Sequence, residues 1–229
     1  LKMPNYLKIY GMPRTGTTFI GFLMMRNLEP GHKVGELGYK HGPALTLEGM
    51  KEWARKYGGK VMQERSFAAM KGTVYPVIMI KNPYSWYQSM CRFRQRDISI
   101  KAEYKQYNEC YRSWKELLEN PHKPFGVGVK IKYEDLLINT EKELNRICKC
   151  SGVRRLDSAL SIPDKVPQSD EFTESRRQFY LSGGDFGLSD ELVEEITNIV
   201  DWELMKFYGS VWRAENWYYF YRDPFRTEF

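Results

Sequence analysis

Two hydrophobic periods alternate along this chain, and each predicts a different kind of element. Residues 6–10 (YLKIY) form a short β-prone run that stops at Gly11, whereas 17–28 carry Ile20, Leu23, Met24 and Asn27 at helical spacing. A surface helix is expected over 46–57, ended by Gly58-Gly59. The run 75–80 (YPVIMI) is almost continuously apolar, as a strand buried on both faces of a parallel sheet should be. Pro83 follows at what would be the first turn of a helix running toward Arg96. A further helix is predicted over 103–119, a strand over 125–131 (FGVGVKI) and a helix over 140–150. Ser189 caps a long amphipathic helix predicted to continue through 207, with Leu192, Ile196, Ile199, Val200 and Leu204 inward. The stretch 152–187 shows no clear period and reads as mixed loop and helix. Strands alternating with helices predict a three-layer α/β fold, a parallel sheet flanked by helices on both faces. Ligands then bind beyond the carboxyl ends of the strands.

Composition narrows the class without naming a ligand. The chain has 229 residues, 42% hydrophobic and 28% charged, which excludes a disordered or collagen-like protein and suits one domain spanning 1–229. No apolar run approaches the roughly 18 residues of a membrane span, and no charged-then-apolar leader is visible. The four cysteines (Cys91, Cys110, Cys148, Cys150) are too sparse for a disulfide scaffold, and Cys148-Lys149-Cys150 lacks the partners of a zinc site. A reduced, cytoplasmic protein is the expectation. The net charge of +6 suits an anionic ligand, but both signs are interspersed, which argues against a nucleic-acid partner. The last eighteen residues crowd Trp212, Trp217, Tyr218, Tyr219, Phe220, Tyr221, Phe225 and Phe229 together. Such a tail is expected to pack back on the domain or on a second copy, as a homodimer.

The most informative stretch is Gly11-Met12-Pro13-Arg14-Thr15-Gly16-Thr17-Thr18, directly after a predicted strand and opening a predicted helix. Its spacing, G-x-x-x-x-G-x-T, is the skeleton of a phosphate loop, in which glycines let backbone N–H groups close around a phosphate. The bland alternative is a strand–turn–helix connection using glycine for geometry alone. Thr17 stands where a Walker loop has its lysine, which argues against ordinary ATP or GTP hydrolysis, and a cation, Arg14, sits inside the loop instead.

Pro13-Arg14-Thr15-Gly16-Thr17-Thr18-Phe19 resembles the 5′-phosphosulfate loop of sulfotransferases, whose pattern is Pro-Lys/Arg-Ser/Thr-Gly-Thr-Thr-Trp. The family's second motif, Arg-Asn-Pro at a strand end with a Ser eight residues after the Arg, grips a 3′-phosphate. Here Lys81-Asn82-Pro83 ends the apolar strand and Ser89 follows at that distance. Lys132-Tyr133-Glu134-Asp135-Leu136 is similar to the family's strand-to-helix turn, and Asp201-Trp202-Glu203-Leu204-Met205 to its closing helix. Departures are equally visible: Lys81 keeps the charge of the usual Arg but not its fork, Ser85 replaces a common Asp, and Phe19 replaces the Trp that stacks on adenine. The glycine-rich basic segment of cytosolic members is missing. Arg176 and Arg177, before Ser182-Gly183-Gly184, read as a solvated helix face.

The resemblance implies a phosphate-loop-like sulfotransferase or nucleotide-kinase architecture. It also implies transfer of a sulfuryl group from 3′-phosphoadenosine 5′-phosphosulfate (PAPS) to a hydroxyl or amine, with no metal required. Arg14 and the amides of Thr15 to Thr18 would then meet the phosphosulfate oxygens. A base within reach of the acceptor is needed as well. Two candidates lie in residues 36–43: Glu36, placed like the catalytic Glu of heparan-type members, and His41, which resembles the Lys-x-His segment of cytosolic members although the spacer is absent. His41 ranks first because an ordinary imidazole titrates nearer neutrality than a carboxyl. Lys40 is the electrostatic helper, and the bland readings are a surface or core histidine and an exposed loop carboxylate. The acceptor, a small molecule or carbohydrate, has no readable code. Two other function classes stay open: a nucleotide kinase, and a binding module that has lost turnover.

Overall fold

The computed structural model describes residues 5–29, 40–42, 72–95, 99–165, 172–182 and 187–209. Three strands, β1 (Asn5–Tyr10), β2 (Thr73–Ile80) and β3 (Val129–Lys132), form a parallel sheet in the order β1-β2-β3. Eight helices are described around it: α1 (Thr17–Asn27), α2 (Pro83–Arg94), α3 (Ile100–Glu119), α4 (Tyr133–Ile138), α5 (Thr140–Ser151), α6 (Thr173–Leu181), α7 (Asp190–Ile199) and α8 (Trp202–Phe207). The central strand decides the layering, because its side chains alternate between the two faces. Val77 and Met79 pack with α1, α4 and α5, while Val74, Ile78 and Ile80 pack with α2, α3, α7 and α8. Both faces of β2 are therefore buried, as its continuous apolar run requires, and the architecture is three-layer α/β.

Two predicted elements form differently. The strand expected over 125–131 pairs continuously only at Val129–Lys132, and Phe125 makes a single bridge to Val74. Val74 donates to Pro124 O at 2.9 Å, but the next β2 residue facing the same way is Pro76, which has no N–H, so the ladder lapses there. The long helix expected through 207 is two helices, because Val200 is extended (φ −72°, ψ 134°) and Asp201 caps α8 by accepting from Leu204 N at 3.0 Å. Asn108 of α3 spans the break. Its Nδ2 donates to Ile199 O at 2.9 Å and its Oδ1 accepts from Asp201 N at 3.3 Å. The backbone groups that a continuous helix would have paired are thus satisfied from another element. Among the described residues no helix is long and apolar enough to cross a membrane, and all four cysteines are free thiols. The helix expected over 46–57 and the aromatic tail lie outside the described residues.

Candidate active site

The carboxyl edge of the sheet gathers the segments that follow β1, β2 and β3. After β1 the chain turns through Gly11 to Gly16, with Arg14 (φ 68°) and Gly16 (φ 85°) both left-handed. Those two conformations flank Thr15, whose side chain turns inward and donates from Oγ1 to Met12 O at 2.7 Å. The Thr15 amide is also committed to Met12 O, at 3.2 Å, so it is not among the donors expected for a phosphosulfate. Gly16 caps α1 without a side chain, and the first bond inside the helix runs from Ile20 N to Gly16 O at 3.0 Å. The amides of Thr17, Thr18 and Phe19 precede that bond, leaving an anion-favouring helix start with no side-chain cap of its own. Gly11 has no room for a side chain either. A Cβ there would meet Thr15 Oγ1 at 2.7 Å, Thr17 Cγ2 at 2.8 Å and Met79 Cβ at 2.9 Å.

Cations converge on this helix start. Arg14 donates from Nε to Ser89 Oγ of α2 at 3.5 Å, and its guanidinium lies 5.1 Å from the ring centre of Phe93, which is 59% exposed. Lys40 Nζ reaches Thr18 Oγ1 at 3.5 Å. Lys81 is only 2% exposed, with Nζ 5.1 Å above the Tyr133 ring. Tyr133 in turn abuts Gly16, where an added Cβ would come within 2.3 Å of its Cδ2. Glu134 accepts from Asn82 N at 3.1 Å. Burial pushes its carboxyl up, opposed by its own amide and that of Asn82 and by the charges of Lys81 and Lys132. The Lys81-Asn82-Pro83 run has a plain local logic. Asn82 caps α2 by accepting from Tyr84 N at 2.9 Å and Ser85 N at 3.3 Å, and Pro83 occupies the first helical position.

His41 is tied to the same loop. Its Nδ1 lies 2.6 Å from Gly11 O, while Gly11 N donates to Lys40 O at 2.9 Å. A carbonyl can only accept, so Nδ1 carries the proton in the neutral ring and the lone pair is on Nε2. Burial lowers the His41 pKa, the bond to Gly11 opposes that, and the neighbouring Lys40 charge adds to it. Burial thus favours the neutral ring over the cation. Glu36 lies outside the described residues.

Several residues stand differently from expectation. Phe19, expected to stack on adenine, is 1% exposed and packs edge-on against Tyr133 in the core, because position 19 of α1 faces the sheet. Arg176, expected on a solvated face, is 8% exposed, its guanidinium 5.2 Å from the Phe179 ring and 5.3 Å from the Tyr180 ring. Tyr180 bonds to Ser85 Oγ at 2.8 Å and meets Tyr133 edge-on, which brings α6 to the edge of the site. Sequence reasoning also passed over Trp86, whose Nε1 donates to Pro13 O at 2.8 Å, and Trp114, whose Nε1 donates to Gly42 O at 3.1 Å. The available signal was an aromatic at every helical turn from Tyr104 to Trp114.

The uncapped α1 start can hold an anion, with Lys40 Nζ on Thr18, Arg14 within the loop that leads into it, and the His41 imidazole tied to Gly11 where that loop begins. No protein-family model matches the chain, and no curated protein matches it. Among solved structures it is similar to the sulfotransferase domain of the olefin synthase of Synechococcus PCC 7002, at 14% identity and a TM-score of 0.46, covering 92% of this chain and 95% of that one. It is also similar to a sulfotransferase from Alicyclobacillus acidocaldarius, at 15% identity and a TM-score of 0.44, covering 95% of this chain and 100% of that one.

Proposed function

We propose that this chain is a PAPS-dependent sulfotransferase, moving a sulfuryl group to a hydroxyl or amine of a small-molecule or carbohydrate acceptor. The observation that carries the reading is the loop after β1. Its two left-handed residues and uncapped helix start suit an anion, while the position of a Walker lysine holds the buried Thr17 and the loop's own cation is Arg14. PAPS would supply an activated sulfuryl group whose charge is smaller than that of a γ-phosphoryl group. Uncapped amides and one or two cations suit such a group.

In this reading the amides of Thr17, Thr18 and Phe19 bind the 5′-phosphosulfate oxygens, and Arg14 and Lys40 offset charge that develops on the departing phosphate. Pro13, Thr15 and Gly16 shape the loop. Ser89 and Lys81 serve the 3′-phosphate, Ser89 through a hydroxyl that already meets Arg14. His41 takes the acceptor proton on Nε2, the nitrogen left unprotonated by the bond to Gly11. Glu36 is the second candidate for that task. The four free thiols suit a reducing, cytoplasmic setting.

The test is a thermal-shift and calorimetric comparison of adenosine 3′,5′-bisphosphate, AMP, and ATP with Mg²⁺. The bisphosphate should stabilise the protein most, because stabilisation grows with ligand concentration over Kd. Equal shifts from AMP and the bisphosphate would remove the 3′-phosphate site, and a larger shift from ATP with Mg²⁺ would overturn the reading in favour of a kinase.

A further inference from the structure

The α2–α3 side of the sheet holds many buried aromatics, and four of them form a row whose polar tips reach the segments around the candidate site. Trp86, Tyr107, Tyr111 and Trp114 are all fully buried and stand in ring contact one after another, with centroid separations of 4.7, 4.5 and 4.8 Å. Their order in sequence puts the three from α3 on one helical face. Every tip donates to a main-chain carbonyl at the carboxyl edge of the sheet. Trp86 reaches Pro13 O at 2.8 Å, Tyr107 reaches Lys81 O at 3.1 Å, Tyr111 reaches Met79 O at 2.8 Å and Trp114 reaches Gly42 O at 3.1 Å.

A buried indole or phenol needs a partner in any case, and a purely structural core could satisfy it on carbonyls anywhere. Here the four acceptors lie in three separate segments: the phosphate loop, the end of β2 and the His41 segment. Cys110, on the same helix, adds a weaker contact from Sγ to His41 O at 3.9 Å. We infer that this aromatic row is a positioning device, holding the phosphate loop and the His41 segment at one fixed separation through their main-chain carbonyls. Side chains in the acceptor segments can vary without disturbing it, because only carbonyl oxygens are gripped. Trp86 and Trp114 are its two ends and hence positioning residues for the anion-binding amides and for His41. The inference rests on the proposed function only in assigning those two segments to one site.

The experiment compares Trp86→Phe, Trp114→Phe and a control, Tyr208→Phe. Tyr208 donates to Tyr111 O at 2.7 Å in the same cluster and touches no site segment through that bond. Amide hydrogen exchange and bisphosphate affinity are measured on each, alongside global stability by urea unfolding. Trp86→Phe should speed exchange across 11–18 beyond its global destabilisation, and weaken adenosine 3′,5′-bisphosphate by about 2- to 10-fold, the range of one neutral hydrogen bond. Trp114→Phe should instead speed exchange at the Gly11 amide and in 40–42. Tyr208→Phe should raise exchange only in proportion to lost stability. Exchange rising uniformly in all three, in proportion to stability, would overturn the inference and leave a plain core. Should either tryptophan variant fail to fold, benzothienylalanine at that position alone keeps the ring shape, lacks the N–H and gives the same readout. If the wild-type protein binds no bisphosphate while exchange still rises segment by segment, the positioning role stands and the donor assignment falls.

Discussion

Gly16→Ala is the sharpest perturbation available in the loop after β1, because two independent costs meet at one atom. Gly16 sits at φ 85°, where a Cβ costs about 1 kcal/mol or somewhat more against the following carbonyl. The same Cβ would lie 2.3 Å from Cδ2 and 2.8 Å from Cε2 of Tyr133. That ring cannot swing away freely, since it is buried, meets Phe19 and Tyr180 edge-on and lies under Lys81 Nζ. Overpacking of this kind typically costs about 1–3 kcal/mol. The expected loss is therefore about 2–4 kcal/mol, a large part of the roughly 5–15 kcal/mol that holds such a domain folded. Urea unfolding followed by circular dichroism measures it. A double-mutant cycle with Tyr133→Leu separates the two costs: with the ring gone, Gly16→Ala should lose only the left-handed part, so the coupling should be at least about 1 kcal/mol. A loss below about 0.5 kcal/mol, or no coupling to position 133, would mean that the loop does not sit against Tyr133 as described.

The other predictions address the charges and the helix break. Lys81→Met should lower the urea midpoint, because it removes one of the two cations, Lys81 and Lys132, that oppose the cost of burying the Glu134 carboxylate; Lys81→Met with Glu134→Gln should recover part of that loss. The His41 pKa lies below 6.5 in the folded protein, so the unfolded chain takes up the proton first as pH falls. Its stabilising contribution is complete above pH 6.5 and is lost toward the lower folded value, with a slope of at most about 1.4 kcal/mol per pH unit. Urea midpoints across that window should fall more steeply for wild type than for His41→Gln, and parallel curves would remove the assigned burial of His41. Asn108→Ala should cost about 1–3 kcal/mol by orphaning both Ile199 O and Asp201 N, read as a lower thermal midpoint, whereas an unchanged midpoint would mean that the break between α7 and α8 closes into a continuous helix.

What the sequence showed and what it hid follow one physical division. Elements fixed by their own residues were legible. The apolar run of β2, Pro83 at the start of α2, the Ser189 cap and the two glycines of the loop after β1 all act within a few residues of themselves. Features fixed by a distant partner were not. The break at Val200 depends on Asn108, about ninety residues earlier, and the amphipathic pattern runs through it unchanged because α7 and α8 bury the same side against α3. Arg176 looked solvated because its charge was weighed alone. Phe179 and Tyr180, three and four residues on, stack beneath its guanidinium, and that spacing was visible. Phe19 misled in the opposite way. A motif position implied a ligand contact, whereas the helical phase of α1 turns the ring into the core beside Ile20 and Leu23.

Gly11 shows how the proposed base and the proposed anion site can share one short stretch of chain. Its amide donates to Lys40 O and its carbonyl accepts from His41 Nδ1, so the segment carrying the imidazole is pinned to the first residue of the loop. Six residues later the same loop presents the start of α1. The span between Nε2 and the open amides is therefore fixed by local backbone and by one histidine bond, whatever path the intervening chain takes from Asn27 to Lys40. The bond that fixes the distance also fixes the proton, since a carbonyl partner forces Nδ1 to be the protonated nitrogen. Geometry and tautomer come from a single contact, and glycine is required there because Thr15, Thr17 and Met79 leave a Cβ no space.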